Sequence, residues 1–198
     1  MTIHQSQNFT YLFEKDHVNS WAFKTQVFTK DECQQIINYG NSLNKNTATV
    51  DINKVINNNI RISNVSWINP TNEIIGVYEK LTDAIQELNQ KFFKFDLIGF
   101  GEGLQFTEYK APSGHYIKHT DSMFNATIRK LSIVLQLSDP NDYEGGNLEI
   151  YLGNNSEIMP KEQGTLIAFP SYNVHQVSPV IKGTRYSLVA WITGPNFK

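Results

Sequence analysis

A histidine, an aspartate and a second histidine stand in an order that suits metal binding. His119 and Asp121 lie two residues apart at the end of the alternating segment HYIKHTD, and His175 follows more than fifty residues later, at the start of another such segment. On a strand, residues i and i+2 point to the same face, so the side chains of His119 and Asp121 project together. Two imidazoles and one carboxylate on one face of an octahedral ion leave three positions open, a donor set suited to non-haem Fe(II). An H-x-D tripeptide alone arises often by chance. Arg185, ten residues past His175, adds a second feature. Alternation places Arg185, Ser187, Val189 and Trp191 on one face of the final strand and Tyr186, Leu188, Ala190 and Ile192 on the other. A guanidinium on a face suited to burial needs an anion, and its fork matches a carboxylate bidentately. Taken alone, the same arginine would serve equally in a salt bridge to an internal Asp or Glu.

The elements that must hold these residues fall into two halves. From about Phe95 onward the chain reads as short strands: LIGFGEGLQFTEYK, HYIKHTD, KLSIVLQLS, NLEIYL, GTLIAFP, HQVSPV and RYSLVAWIT. Punctuation at Pro112–Gly114, Pro140–Asp142, Gly145–Gly146, Pro160 and Lys182–Gly183, with no helix between, predicts an antiparallel sandwich or barrel. Within KLSIVLQLS, Ser132, Val134 and Gln136 share the face opposite Leu131, Ile133, Leu135 and Leu137. The first half carries helical signals. Thr29 and Glu32 have capping-box spacing ahead of KDECQQIINYG, where Gly40 is expected to stop the helix. A second helix is expected from about Thr71 to Phe93, since Ile74, Ile75, Val77, Tyr78, Leu81, Ile85 and Leu88 recur at three- and four-residue steps. Between them NIRISNVSWI alternates like a strand, and the Asn clusters at 57–59 and 154–155 read as turns. The fold class expected is mainly β (α+β), a jelly roll with supporting N-terminal helices on one outer face.

Composition narrows the function classes. A chain of 198 residues fits one domain, with a helical part over about 1–94 and a core over about 95–198. Charged residues at 18% and hydrophobic ones at 40% indicate a globular chain rather than a disordered one. Seventeen basic against nineteen acidic residues give a formal charge of -2, so no overall basic field favours nucleic acid or an anionic membrane. The single cysteine, Cys33, excludes an intrachain disulfide and any Cys-rich metal site, and it suits a reducing compartment. The amino terminus, MTIHQSQNFTYLF, lacks a signal-peptide pattern, and no stretch reaches the ~20 apolar residues of a membrane span. A soluble, cytoplasmic protein is expected.

Three segments, LQFTEYKAPSGHYIKHTD, RKLSIVLQLSDPNDYEGGNLEI and KEQGTLIAFPSYNVHQVSPVIKGTRYSLVAWITGP, resemble the catalytic core of the Fe(II)- and 2-oxoglutarate-dependent oxygenases, in their prolyl 4-hydroxylase-like branch. NIRISNVSWI is similar, more weakly, to the amino-terminal part of that family. The resemblance implies a double-stranded β-helix, with Fe(II), 2-oxoglutarate and O2 as cofactor and cosubstrates, and with ascorbate as an auxiliary reductant. It implies His119, Asp121 and His175 as iron ligands and Arg185 as partner of the distal carboxylate of 2-oxoglutarate. Tyr109 falls where the family places a tyrosine reaching the cosubstrate. Gln136 stands where some relatives have a tyrosine, a departure that makes it a weaker carboxylate contact, and Ser187 adds a hydroxyl beside Arg185. Tyr116, Arg129 and Trp191 match positions that hold the peptide in prolyl hydroxylases, and Phe169 joins Tyr116 and Trp191 in an expected aromatic wall. His115 precedes the metal histidine by four residues and is not expected to bind, and His4 and His17 lie outside the core.

The activity implied is hydroxylation of a peptidyl proline in a protein or peptide partner, with 2-oxoglutarate converted to succinate and CO2. Retention of Asp121 argues against halogenation, since related halogenases lack the carboxylate so that a halide can bind. Two other readings stand beside it: the same chemistry on another side chain or a small metabolite, and a non-catalytic jelly-roll module holding a structural ion such as Zn(II). Arg185 separates the last from the others, because a structural ion has no use for a cosubstrate arginine.

Overall fold

The computed structural model describes residues 18–49, 55–121 and 128–196. His4 and His17 lie outside these residues. Among the described residues there are two α-helices, α1 (Lys30–Ser42) and α2 (Ile75–Leu88), the second continuing into a π-helical turn over Asn89–Phe93. The early strands are β1 (Ala22–Lys24), β2 (Asn46–Thr47), β3 (Arg61–Ile62) and β4 (Asn64–Ile68). After the helices come β5 (Gly99–Phe100), β6 (Leu104–Lys110), β7 (His115–His119), β8 (Arg129–Gln136) and β9 (Tyr143–Gly145). The last five are β10 (Leu148–Leu152), β11 (Asn155–Ile158), β12 (Leu166–Pro170), β13 (His175–Val177) and β14 (Val180–Thr193).

Every strand pair is antiparallel, and the strands form two sheets. The larger runs β1-β12-β8-β14-β6-β4-β2, with β5 and β9 attached to β14, and the smaller runs β11-β10-β13-β7-β3. Alternation on the central strands of the larger sheet sends two sets of side chains to two cores. Leu131, Ile133, Leu135, Leu166, Ala168, Leu188 and Ala190 face the helices, packing against Ile36, Leu81, Ile85 and Leu88. Tyr109, Val134, Ile167 and Phe169 face the smaller sheet and meet Leu148, Ile150 and Val177. The site residues belong to this second, inter-sheet layer.

The α1 start is a full capping box, with Glu32 N donating to Thr29 Oγ1 at 3.2 Å and Thr29 N donating to Glu32 Oε2 at 2.7 Å. Gly40, expected to stop the helix, instead lies inside it. Its function is close approach, because a Cβ there would sit 2.4 Å from the Phe106 ring of β6. The second helix begins later than expected, at Ile75, after a turn in which Ile74 N and Ile75 N both donate to Thr71 O.

Three strand expectations need correction. NIRISNVSWI is two strands in different sheets, β3 pairing with β7 and β4 with β6, and the chain crosses between layers at the buried Ser63. The expected Lys182–Gly183 turn is an exchange of partners within one long strand. β14 pairs with β9 up to Gly183 and with β6 from Thr184 onward. Gly183 makes this possible at φ +73, where a Cβ would lie 2.0 Å from Asp142 O. HQVSPV likewise divides between β13 and the start of β14. Asn57 anchors the expected turn at 57–59, but in the 154–155 cluster Asn155 opens β11.

Candidate metal and cosubstrate site

β7 and β13 are neighbours in the smaller sheet, and their register sets His119 directly opposite His175. The imidazole centroids are 4.1 Å apart. Each ring is oriented by its own strand: His119 Nδ1 contacts Ile117 O at 2.8 Å, and His175 Nδ1 contacts Asn173 O at 3.1 Å. A carbonyl only accepts, so both Nδ1 atoms carry the proton and both Nε2 lone pairs are free to bind a metal. Asp121 follows β7, tied down by its N–H donating to Ser171 O at 2.9 Å. Its carboxylate lies between the rings, with Oδ1 3.7 Å from His119 Nε2 and Oδ2 3.4 Å from His175 Nε2. The three ligand atoms all fall within 4.8 Å of one another.

The electrostatics match this geometry. Burial, reinforced by nearby His175, pushes His119 down to about 4 although Asp121 pulls the other way, so its ring is neutral near pH 7. Burial opposes ionisation of Asp121, yet His175, His119 and the Ser132 hydroxyl hold its carboxyl below the ordinary aspartate range. No Lys or Arg among the described residues pairs with this buried carboxylate, and a divalent cation would supply the missing charge. The residues present therefore fit a metal with two nitrogen donors and one oxygen donor.

Across the inter-sheet space, Arg185 is wholly buried on β14 at 1% exposure. Its Nη2 donates to Gln136 Oε1 at 2.9 Å, its Nη1 approaches Ser187 Oγ at 3.5 Å, and Nε has no partner. The guanidinium carbon lies 5.5 Å from the Tyr109 ring centre. Gln136 is held in turn, since its amide donates to Pro160 O at 2.9 Å, leaving the oxygen to face Arg185. No carboxylate among the described residues pairs with Arg185, so the internal salt bridge left open by the sequence is absent there.

One cavity joins the two centres, lined by Tyr109, Tyr116, His119, Asp121, His175, Arg185, Ser187 and Trp191. Tyr116 stacks on His119 with centroids 3.5 Å apart. Arg129 does not line the cavity. It lies over the Trp191 ring at 4.0 Å and its Nε donates to Glu102 Oε1 at 2.9 Å. Phe169 also departs from expectation, since it packs 4.7 Å from the His175 ring and supports that ligand instead of walling the cavity. His115 takes no part in the cluster.

Several participants are invisible to pattern reading. Ser132 Oγ donates to Asp121 Oδ2 at 2.7 Å and lies 3.0 Å from Ser171 Oγ, a contact between residues far apart in sequence. Arg61 and Gln105 line the cavity from β3 and β6. Tyr143 and Lys161 lie near Arg185, and burial together with Arg185 depresses the Lys161 ammonium. The only signal for Arg61 in the sequence was a charged residue inside an alternating segment.

Comparisons with known proteins agree with this geometry. Residues 104–193 match the family model of the 2OG-Fe(II) oxygenase superfamily. A PKHD-type hydroxylase of Prochlorococcus marinus is 30% identical over 164 residues, which is 81% of this chain and 71% of that protein. One from Picosynechococcus is 39% identical over 90 residues, covering 45% of this chain and 41% of the relative, so the chain matches less than half the length of that protein. Among solved structures, a Trichoplax adhaerens prolyl hydroxylase superposes with TM-score 0.75 at 21% identity, over 88% of this chain and 84% of its own. A Pseudomonas putida prolyl-4-hydroxylase gives 0.69 at 21% identity, over 89% and 94%. The two-sheet architecture is thus the jelly roll of these oxygenases. With its His-Asp-His cluster and that kinship, the chain belongs to the 2OG-Fe(II) oxygenase superfamily, whose cofactor and cosubstrate are Fe(II) and 2-oxoglutarate.

Proposed function

We propose that the protein, acting as one catalytic domain, hydroxylates a prolyl residue of a peptide or protein at the expense of 2-oxoglutarate, which leaves as succinate and CO2. The observation that carries this reading is the pairing, in one cavity, of a metal-binding triad with a wholly buried arginine that lacks a carboxylate partner. His119, Asp121 and His175 hold Fe(II), whose bound form supplies the oxidising chemistry for an unactivated C–H bond. Arg185 receives the far carboxylate of 2-oxoglutarate, with Gln136, Ser187 and Tyr109 filling out its surroundings. Ser132 fixes the Asp121 carboxylate, and the Nδ1 contacts of both imidazoles fix their tautomers.

The prolyl target is supported by the acceptor side of the cavity. Tyr116, stacked on His119, and Trp191 line the cavity with aromatic rings, a wall suited to a saturated ring. Arg129, braced by Glu102, holds the Trp191 indole from outside. The Trichoplax prolyl hydroxylase was solved with a peptide fragment of a hypoxia inducible factor, which favours a peptide over a metabolite. Among the described residues no helix is long and apolar enough to cross a membrane.

The test is succinate release by the Fe(II)-loaded protein with 2-oxoglutarate and proline-containing peptides, followed by mass spectrometry of the peptides. A gain of about 16 Da on proline is expected, and Trp191→Ala should abolish most of it. A mass gain confined to other residues or to metabolites would reject the prolyl target while leaving the oxygenase intact.

A further inference from the structure

Three arginines border the site, and their partners differ. Arg129 is neutralised by Glu102. Arg185 is matched, under the function proposed above, by 2-oxoglutarate. Arg61 has neither kind of partner. It lies on β3 at 7% exposure, lining the cavity. Its Nη2 donates to Gln105 Oε1 at 2.9 Å and its Nε to Ser63 Oγ at 2.8 Å, both neutral acceptors. Among the described residues no carboxylate forms an ion pair with it. Its guanidinium carbon is 4.7 Å from the ring centre of Tyr116, which stacks on the metal-binding face through His119.

Charge balance turns this placement into a statement about the acceptor. The charges of Fe(II) and the 2-oxoglutarate dianion cancel, and Asp121 offsets one of the two cavity arginines. One positive charge remains, on a buried side chain. Such a charge is costly unless an anion meets it. Gln105 and Ser63 fix the direction of the fork without neutralising it, and the guanidinium retains further N–H donors for a planar anion. The position beside Tyr116 puts that charge on the side of the cavity assigned to the acceptor rather than beside Arg185.

We propose that Arg61 selects the acceptor by binding a carboxylate that lies close to the hydroxylated ring. This rests on the prolyl reading given above. The carboxylate comes either from the prolyl unit itself, as a chain-terminal or free proline, or from an acidic side chain flanking the target proline in a peptide. Both sources present the same group to the same fork, and matched acceptors separate them.

The experiment measures succinate formation by the Fe(II)-loaded full chain with two matched pairs. One pair is N-acetyl-Ala-Pro as the free acid and as the C-terminal amide. The other is a capped peptide with an internal Asp-Pro and its Asn-Pro counterpart. In one pair the acid should exceed the neutral form roughly tenfold or more in kcat/KM, and the pair that responds names the source. In Arg61→Gln that ratio should collapse to within about threefold while the KM for 2-oxoglutarate stays put, and Arg61→Lys should recover part of it. Thermal unfolding of both variants separates loss of the charge from loss of the fold, and the wild-type acid-to-neutral ratio needs no variant. Equal activity on acid and neutral forms in both pairs overturns the proposal, as does an Arg61→Gln effect confined to 2-oxoglutarate. If no proline acceptor stimulates turnover, the prolyl reading fails by itself. Free amino acids compared with their amides then decide the carboxylate preference independently of the ring.

Discussion

Arg185 and Gln136 face each other from adjacent strands of the larger sheet, joined by a 2.9 Å hydrogen bond from the guanidinium to the amide oxygen, with both residues buried. The pairing is neutral on one side, so the arginine keeps its full charge available. Replacing Arg185 with Gln should weaken 2-oxoglutarate binding by ~2–5 kcal/mol, the usual penalty for losing one partner of a desolvated, hydrogen-bonded charge pair. Metal affinity, set by the triad on the opposite sheet, should change little. Separate titrations of Co(II) and of 2-oxoglutarate into the metal-loaded protein check this, and equal losses in both would make Arg185 structural.

The faces of these two residues were legible in the sequence because alternation assigns faces wherever one side of a strand is buried, whereas their meeting at the cosubstrate carboxylate was implied only by the family resemblance. The same rule sorted Ser187, Val189 and Trp191 from Tyr186, Leu188 and Ala190, and the H-x-D spacing brought His119 and Asp121 together. Alternation does not record which sheet a strand joins. Arg61 and Val65 looked like parts of one strand, yet the chain changes layers at Ser63 and Arg61 reaches the cavity as part of the smaller sheet. Nor does it record long-range side-chain contacts. Ser132 was placed on the correct face, but its bond to Asp121 depends on how β8 meets the end of β7. Phe169 was expected at the wall as one of three aromatic candidates, and it packs instead against the His175 ring, behind the ligand.

Gly40 gives a packing test. A methyl group there would meet the Phe106 ring at 2.4 Å, and Phe106 is fully buried and stacked on Tyr186. The α1 helix would have to move off the larger sheet. Gly40→Ala should therefore destabilise by about 1–3 kcal/mol despite its better helix propensity. Denaturant melts measure this, and a stabilised variant would contradict the packing.

Cys33 is fully buried in the helix-facing core, and burial, with Glu32 adding to it, pushes its thiol up to about 11. A thiolate is the reactive form, so the folded protein should resist thiol reagents at pH 8. Labelling should accelerate only as the protein unfolds. Rapid modification under native conditions would show that α1 opens locally.

The metal-free protein should lose stability on mild acidification because of His119. In the unfolded chain an imidazole titrates near about 6.5, whereas in the fold it is pushed down to about 4. Between those values the unfolded state binds a proton that the folded state does not, so unfolding free energy rises with pH across the window and falls as pH drops. Chelator-treated protein melted at a series of pH values should show this slope, and His119→Gln should flatten it.

The last expectation concerns Ser132, which touches no metal yet holds the group that does. Its hydroxyl donates to Asp121 Oδ2 at 2.7 Å and sits 3.0 Å from Ser171 Oγ, in a position with no solvent exposure. Removing the hydroxyl leaves the carboxylate with one fewer donor and a freer rotation, so its oxygen spends less time where the two imidazoles converge. Loss of such an orienting contact typically lowers metal affinity about 10–100-fold. Ser132→Ala should therefore weaken Co(II) or Fe(II) binding in that range, while Arg185 and its neighbours, on the other side of the cavity, should still bind 2-oxoglutarate once metal is saturating. If the variant binds metal as tightly as the parent, Asp121 is held by its backbone bond to Ser171 alone, and the hydroxyl is only packing.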